Sequence, residues 1–343
     1  MRFVYDLFLR RHQMNNVNTY TIFTPIVKET LQKGESYPYN IYRQVDEKIF
    51  SILLKKNEIF DTSPQCFVVD ENISNLFIKS TDKHKYQIYI QKHISDILDN
   101  QTISLDAKAS LIKEIASVTM YDLFQSDVNS ENLLKINTLV NNSIKLILTD
   151  KNAMYSMLKV TTYDYYTYTH CIDVATYALG FGSYLQLELD DLNTLGKAAM
   201  LHDLGKKNIP YEIITKNDKL TTDEYELIKG HPLYSVELLQ QTGETNQKLL
   251  TLIAQHHEKC DGTGYPYGLK EEQIDTLAKI IAVCDVFNAL TTQRTYKNRM
   301  SSYDAFKIMC NEMSHHLCKK TLKHFIGFMG CKEYEKNAFG ALT

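Results

Sequence analysis

A mainly α fold is what this sequence predicts: a helical-bundle domain on the C-terminal side, a small α/β module on the N-terminal side and a helical connector between them. Three observations predict it. Between about residues 36 and 100, short runs rich in β-branched and aromatic residues alternate with polar turns. From about Ser104, apolar residues recur at three- and four-residue steps. Beyond Tyr163, His and Asp residues close a succession of apolar runs, as expected of ligands projecting inward from a bundle.

The first module, residues 1–100, holds strand-like runs at Asn40–Val45, Cys66–Val69 and Leu76–Ile78, then a helix-like stretch from Lys83 to Leu98. It has no metal-ligand spacing and no phosphate-cradling glycine loop. The connector, residues 101–160, repeats apolar positions at Leu111, Ile112, Ile115 and Val118, then Leu139, Ile144 and Leu148. These helices suit a stalk or homodimer seam, or packing on the bundle. In the third domain, residues 161–343, apolar runs lead into His202, His256 and Asp285, and Thr221-Thr222-Asp223-Glu224 has the form of a capped helix start.

Composition narrows the function. A formal net charge of -3 provides no broad cationic footprint for duplex nucleic acid. Seven cysteines, odd in number and without a C-x-x-C pair, suit a reducing cytoplasm. No apolar run approaches the roughly 20 residues needed to cross a bilayer, and charge interrupts the N-terminal stretch too early for a signal peptide. A cytoplasmic protein without a membrane span is the expectation.

The chemistry lies in one ordered series: His170, His202-Asp203, His231, His256-His257 and Asp285. Imidazole and carboxylate together suit iron, manganese or zinc. A single histidine on an apolar helix is usually a core residue; the series, at the ends of apolar runs, points to metal-dependent hydrolysis. His315-His316 has no such company and is read as helix surface, as are His12, His84, His93 and His324. Directly after His256-His257-Glu258 comes a glycine-rich turn, Asp261-Gly262-Thr263-Gly264-Tyr265-Pro266.

These strings, with His202-Asp203-Leu204-Gly205-Lys206, His231-Pro232 and Ala282-Val283-Cys284-Asp285, resemble the HD-GYP branch of the HD-domain phosphohydrolases over about residues 160–330. The resemblance implies an all-α catalytic domain that hydrolyses cyclic di-GMP at a two- or three-metal centre, most often iron or manganese. By position it implies His170, His202, Asp203, His231, His256, His257 and Asp285 as metal ligands, with Asp203 bridging the ions. Asp203 and Lys206 are the expected catalytic residues, the ions lowering the pKa of a bridging water and Lys206 standing beside the phosphate or leaving oxygen. Lys206, Arg294, Lys297 and Tyr265 are the expected substrate contacts. The Gly-Tyr-Pro loop also admits a partner such as a diguanylate cyclase.

Some members of the branch carry a Glu four residues before the first ligand histidine, where it helps to hold a third metal. Here that position is Tyr166, and Asp164 lies on another side of the helix. Two divalent ions are therefore expected, and with them hydrolysis to pGpG, with further cleavage to GMP left open. Thr295 stands where the loop arginine is often followed by proline. Two alternatives stay open: hydrolysis of another cyclic dinucleotide such as cyclic GMP-AMP, and a non-catalytic cyclic di-GMP receptor or adaptor.

Overall fold

The computed structural model describes residues 22–46, 49–61, 76–150, 152–159, 167–216, 218–292 and 300–330. The chain divides into two compact units, Met1–Ala107 and Lys108–Thr343.

In the first unit, β1 (Phe23–Ile26), β2 (Ile41–Asp46), β3 (Ile49–Leu54) and β4 (Leu76–Lys79) form an antiparallel sheet in the order β1-β4-β2-β3. Successive strand residues face opposite sides. The consecutive burial of Leu76, Phe77 and Ile78 therefore means that both faces of the inner strand β4 are covered. β1 carries Pro25 and sits at an edge, where a missing N–H costs no ladder bond. Helix α1 (Lys83–Asp99) buries Tyr86, Ile90, Ile94 and Ile97 at three- and four-residue steps. The Tyr86 hydroxyl accepts from Val27 N–H at 3.2 Å, and that of Tyr89 donates to Thr30 O at 3.1 Å. These rings thus fill the core while satisfying loop backbone.

Two of the expected strand runs coincide with β2 and β4, and the expected helix with α1. The run Cys66–Val69 lies outside the described residues. β1 and β3 were not expected. Every β3 residue keeps intermediate or full exposure, so hydrophobic burial leaves no clean alternating signature in its sequence.

The second unit carries α2 (Leu105–Gln125), α3 (Ser130–Thr149), α4 (Ala153–Lys159), α5 (Thr167–Tyr184), α6 (Leu189–Leu201), a 3-10 turn (Leu204–Asn208), α7 (Tyr211–Ile214), α8 (Thr222–Lys229), α9 (His231–Gln241), α10 (Gln247–Gln255), α11 (Thr276–Thr291), α12 (Ser302–Asn311) and α13 (Lys319–Phe328). Helix α5 is buried nearly all round and packs on α6, α3 and α11. Helices α2, α3 and α4 close on α5 and α6 around a small, mostly apolar cavity lined by Ile112, Ala116, Leu139, Met157, Leu179 and Met200. The expected cap is present: Thr221 Oγ1 accepts from Glu224 N–H, and Glu224 accepts from Thr221 N–H at 2.7 Å. His315-His316 is not helix surface; it lies in the turn between α12 and α13. The His316 carbonyl accepts from Cys260 N–H at 2.9 Å, which ties that turn to the glycine-rich loop. Among the described residues no helix is long and apolar enough to cross a membrane.

An aromatic cluster holds the far end of α11. Phe287, 1% exposed, stacks on Phe306 at 4.9 Å and meets Tyr177 and Phe325 edge-on at 5.3 Å each. Phe287→Ala leaves a cavity two residues from Asp285, and a destabilisation of about 3–5 kcal/mol is expected by denaturant unfolding. A loss below about 1 kcal/mol would mean that this cluster does not anchor the helix.

Candidate metal centre

Three of the series histidines are held by one local device. His202 is the C-cap of α6, His256 the C-cap of α10, and His231 follows the C-cap of α8. A helix end leaves carbonyls without intrahelical partners. Here each ring meets the carbonyl three residues back: His202 Nδ1 to Ala199 O at 2.8 Å, His231 Nδ1 to Ile228 O at 2.7 Å, and His256 Nδ1 to Ile253 O at 2.6 Å. A carbonyl only accepts, so Nδ1 carries the proton in each. In the neutral ring Nε2 is then a lone pair. His170, inside α5, is held the same way by a side chain, its Nδ1 2.7 Å from Asn288 Oδ1.

All four Nε2 atoms converge on two buried carboxylates. Asp203 Oδ1 lies 3.1 Å from His231 Nε2 and 4.0 Å from His256 Nε2; its Oδ2 lies 3.6 Å from His202 Nε2 and 3.8 Å from His170 Nε2. Asp285 offers Oδ1 to His170 Nε2 at 3.0 Å and Oδ2 to His257 Nδ1 at 3.9 Å. Two groups result, each with its donor atoms within 4.8 Å of one another: Asp203, His231, His256 and His257, and His170, His202 and Asp285. Asp203 lies between them with one oxygen towards each. All seven residues expected as ligands are therefore brought together.

Such a collection of acceptors is unfavourable without a cation. His231 Nε2 and His256 Nε2 are 3.2 Å apart, and buried His202 Nε2 and Asp203 Oδ1 lack hydrogen-bond partners. Burial pushes the His256 imidazole well below its usual range and that of His257 down to about 3, so both stay neutral, the form that binds metal. Burial also depresses His202. For Asp203 burial acts upward, but the Lys206 ammonium holds it well below the usual carboxylate range. Asp285 is depressed as well. This donor set fits divalent cations.

Lys206 Nζ donates to Asp203 Oδ2 at 2.6 Å, so the expected catalytic pair is in contact. The Lys206 and His257 side chains keep 18% and 26% of their surface exposed and that of Asp285 12%, against 0–1% for the rest of the cluster. These three form the edge of the cluster that meets solvent. The Tyr265 ring stands over that edge, 4.9 Å from the His257 ring, and burial raises its phenol well above the ordinary value. Arg294 and Lys297, with Thr295, Tyr166 and Asp164, lie outside the described residues.

Five residues around the cluster carried no ligand signal in the sequence. Asn288 orients His170 from one turn beyond Asp285. Ser235, fully buried, accepts from Gly205 N–H at 2.7 Å, and its hydroxyl lies 3.0 Å from both His202 O and His231 O. Gly205 is required there, because a Cβ would stand 2.1 Å from His231 O. The Glu258 carboxylate, 5% exposed, accepts from Tyr267 N–H at 2.6 Å and Leu269 N–H at 2.8 Å, folding the loop back over the histidines. Cys171, fully buried, has its sulfur within 4.8 Å of donor atoms of His202 and Asp203. Only Gly205 and Glu258 lie inside recognisable strings; Ser235 and Asn288 follow ligands by one helical turn, a spacing that becomes informative only once the ligands are known.

Asn288→Ala frees the His170 ring, and metal affinity is expected to fall about 10–100-fold by calorimetric titration, with the fold unchanged by circular dichroism. Unchanged affinity would mean that the amide does not orient the ligand. In metal-free protein, the depressed histidines bind fewer protons folded than unfolded below about pH 6.5. Stability therefore rises with pH through this window and falls as pH drops towards 3. The carboxylates, also depressed, act in the same direction below about pH 4. Thermal melts at stepped pH should show Tm falling from about pH 6.5 downward; a flat Tm to pH 4 would contradict this.

The HD domain family matches residues 137–319, more than half of the chain. A cyclic di-GMP phosphodiesterase of Pseudomonas aeruginosa is 37% identical over 186 residues, covering 54% of this chain and 44% of that one. A 3'3'-cGAMP-specific phosphodiesterase of Vibrio cholerae is 36% identical over 150 residues, 43% of this chain and 34% of its own. The chain thus spans less than half the length of either relative. An HDG"Y"P protein from Bdellovibrio bacteriovorus has the same fold at TM-score 0.62 and 20% identity, over 90% of this chain and 99% of that one. With the histidine-aspartate cluster in place, the chain belongs to the HD domain family.

Proposed function

We propose that this protein is a metal-dependent phosphodiesterase that opens cyclic di-GMP to linear pGpG. The observation that carries the reading is the convergence of His170, His202, His231, His256 and His257 with Asp203 and Asp285 in two adjoining groups. These seven residues would hold two divalent ions, iron or manganese, with Asp203 between them. When bound, such ions neutralise the phosphodiester charge and make water acidic enough to attack near neutral pH.

The chain's own groups do the rest. Asp203 offers one oxygen to each group and stays ionised under the Lys206 ammonium. Lys206, partly exposed beside Asp203, stands where it would stabilise charge on a phosphate or leaving oxygen. Tyr265 would present its ring face to a guanine, and Arg294 and Lys297 would bind phosphate. A second reading, hydrolysis of a cyclic GMP-AMP, is favoured by the Vibrio relative's specificity. The first unit would then regulate the second, in a cytoplasmic homodimer.

The test is turnover of both dinucleotides by protein purified anaerobically and loaded with Fe(II) or Mn(II), with products resolved by chromatography and metal counted by elemental analysis. Metal-dependent pGpG formation, absent from Asp203→Ala, is expected. Cleavage of 3'3'-cGAMP alone would move the assignment to the second reading. Binding of cyclic di-GMP without hydrolysis in fully loaded protein would make the chain a receptor and sink the enzyme assignment.

A further inference from the structure

We infer that helix α2 is a strut for the segments that carry His170 and Asp203, with two positioning residues: Lys113 on the helix and Lys207, which docks on its C-terminal end. This rests on the metal reading of the site. It arises from two attachments outside the ligand series.

The first is at the C-terminal end of α2. Lys207 Nζ donates to Leu123 O at 3.0 Å and also to Ser126 O. Leu123 is in the last turn of α2, where carbonyls lack intrahelical partners and the helix dipole is negative. Lys207 adjoins Lys206 in the 3-10 turn that follows Asp203. Anchoring residue 207 therefore limits the travel of the backbone that aims Lys206 at Asp203.

The second lies near the middle of the helix. Lys113 Nζ is 3.1 Å from Asp173 Oδ1, with 15% and 2% of their side chains exposed. Asp173 follows His170 by three residues on α5, about one turn away. The helix rises about 15 Å from Lys113 to Leu123, so one rigid element is tied both to the segment that carries His170 and to the turn that follows Asp203. Burial draws both ammonium groups downward, and Asp173 and Asp127 act against it. A buried ion pair adds little net stability relative to apolar groups of similar size, but it is directional, which suits alignment.

Two full-length variants test this: Lys207→Met, and the double variant Lys113→Met with Asp173→Leu, which removes both partners of the ion pair. The measurements are Mn(II) affinity of metal-free protein by calorimetry, Tm, and kcat and KM for cyclic di-GMP. Each variant is expected to bind Mn(II) or turn over about tenfold more weakly, with Tm near that of the wild type and KM little changed, and Lys207→Arg should recover most of the loss. Mn(II) affinity and kcat both within about twofold of wild type in both variants would overturn the strut. Wild-type protein that binds no Mn(II) would overturn the metal reading itself. If the wild type binds Mn(II) without cleaving cyclic di-GMP, the strut is judged on Mn(II) affinity alone.

Discussion

A histidine that ends a helix can satisfy the helix and serve a site at once, and the second unit depends on that economy. His202, His231 and His256 each give Nδ1–H to the carbonyl three residues earlier, adding a donor at a helix end. The same bond fixes the tautomer and turns the other nitrogen inward. Local helix termination therefore orients three of the candidate ligands without a network of dedicated side chains. Only His170, inside a helix whose carbonyls are already used, needs a side-chain acceptor, and Asn288 supplies it.

The chain had to accept a fold in which these helix ends meet. The close approach is made possible by Gly205, which leaves room for the His231 carbonyl, and by Ser235, whose hydroxyl lies between the His202 and His231 carbonyls. Glu258 then folds the glycine-rich loop back over the histidines. Positional order thus spreads outward from the helix ends to the loop.

Much of this was legible in the sequence because it is local. An apolar run closing on His202 or His256 is both the helix signal and the ligand signal. Thr221 with Glu224 marks a helix start by the same kind of short-range chemistry. Where partners are far apart in the chain the sequence was silent. Asn288 meets His170 across 118 residues, and Lys207 meets Leu123 across 84, with nothing in either string to link them. β3 escaped for another reason, since partial exposure throughout leaves no alternation to read. His315-His316 misled because a turn and an exposed helix face have similar compositions, whereas its carbonyl contact with Cys260 depends on the assembled fold.

The uneven exposure of the cluster has a kinetic meaning. Among the described residues, His257, Lys206 and Asp285 form its only wet edge, and Tyr265 stands over the same edge. On the proposed function, ions and dinucleotide would share this one doorway. A nucleotide seated across it would cover the route to the buried donors, so ions would load before substrate and leave after product.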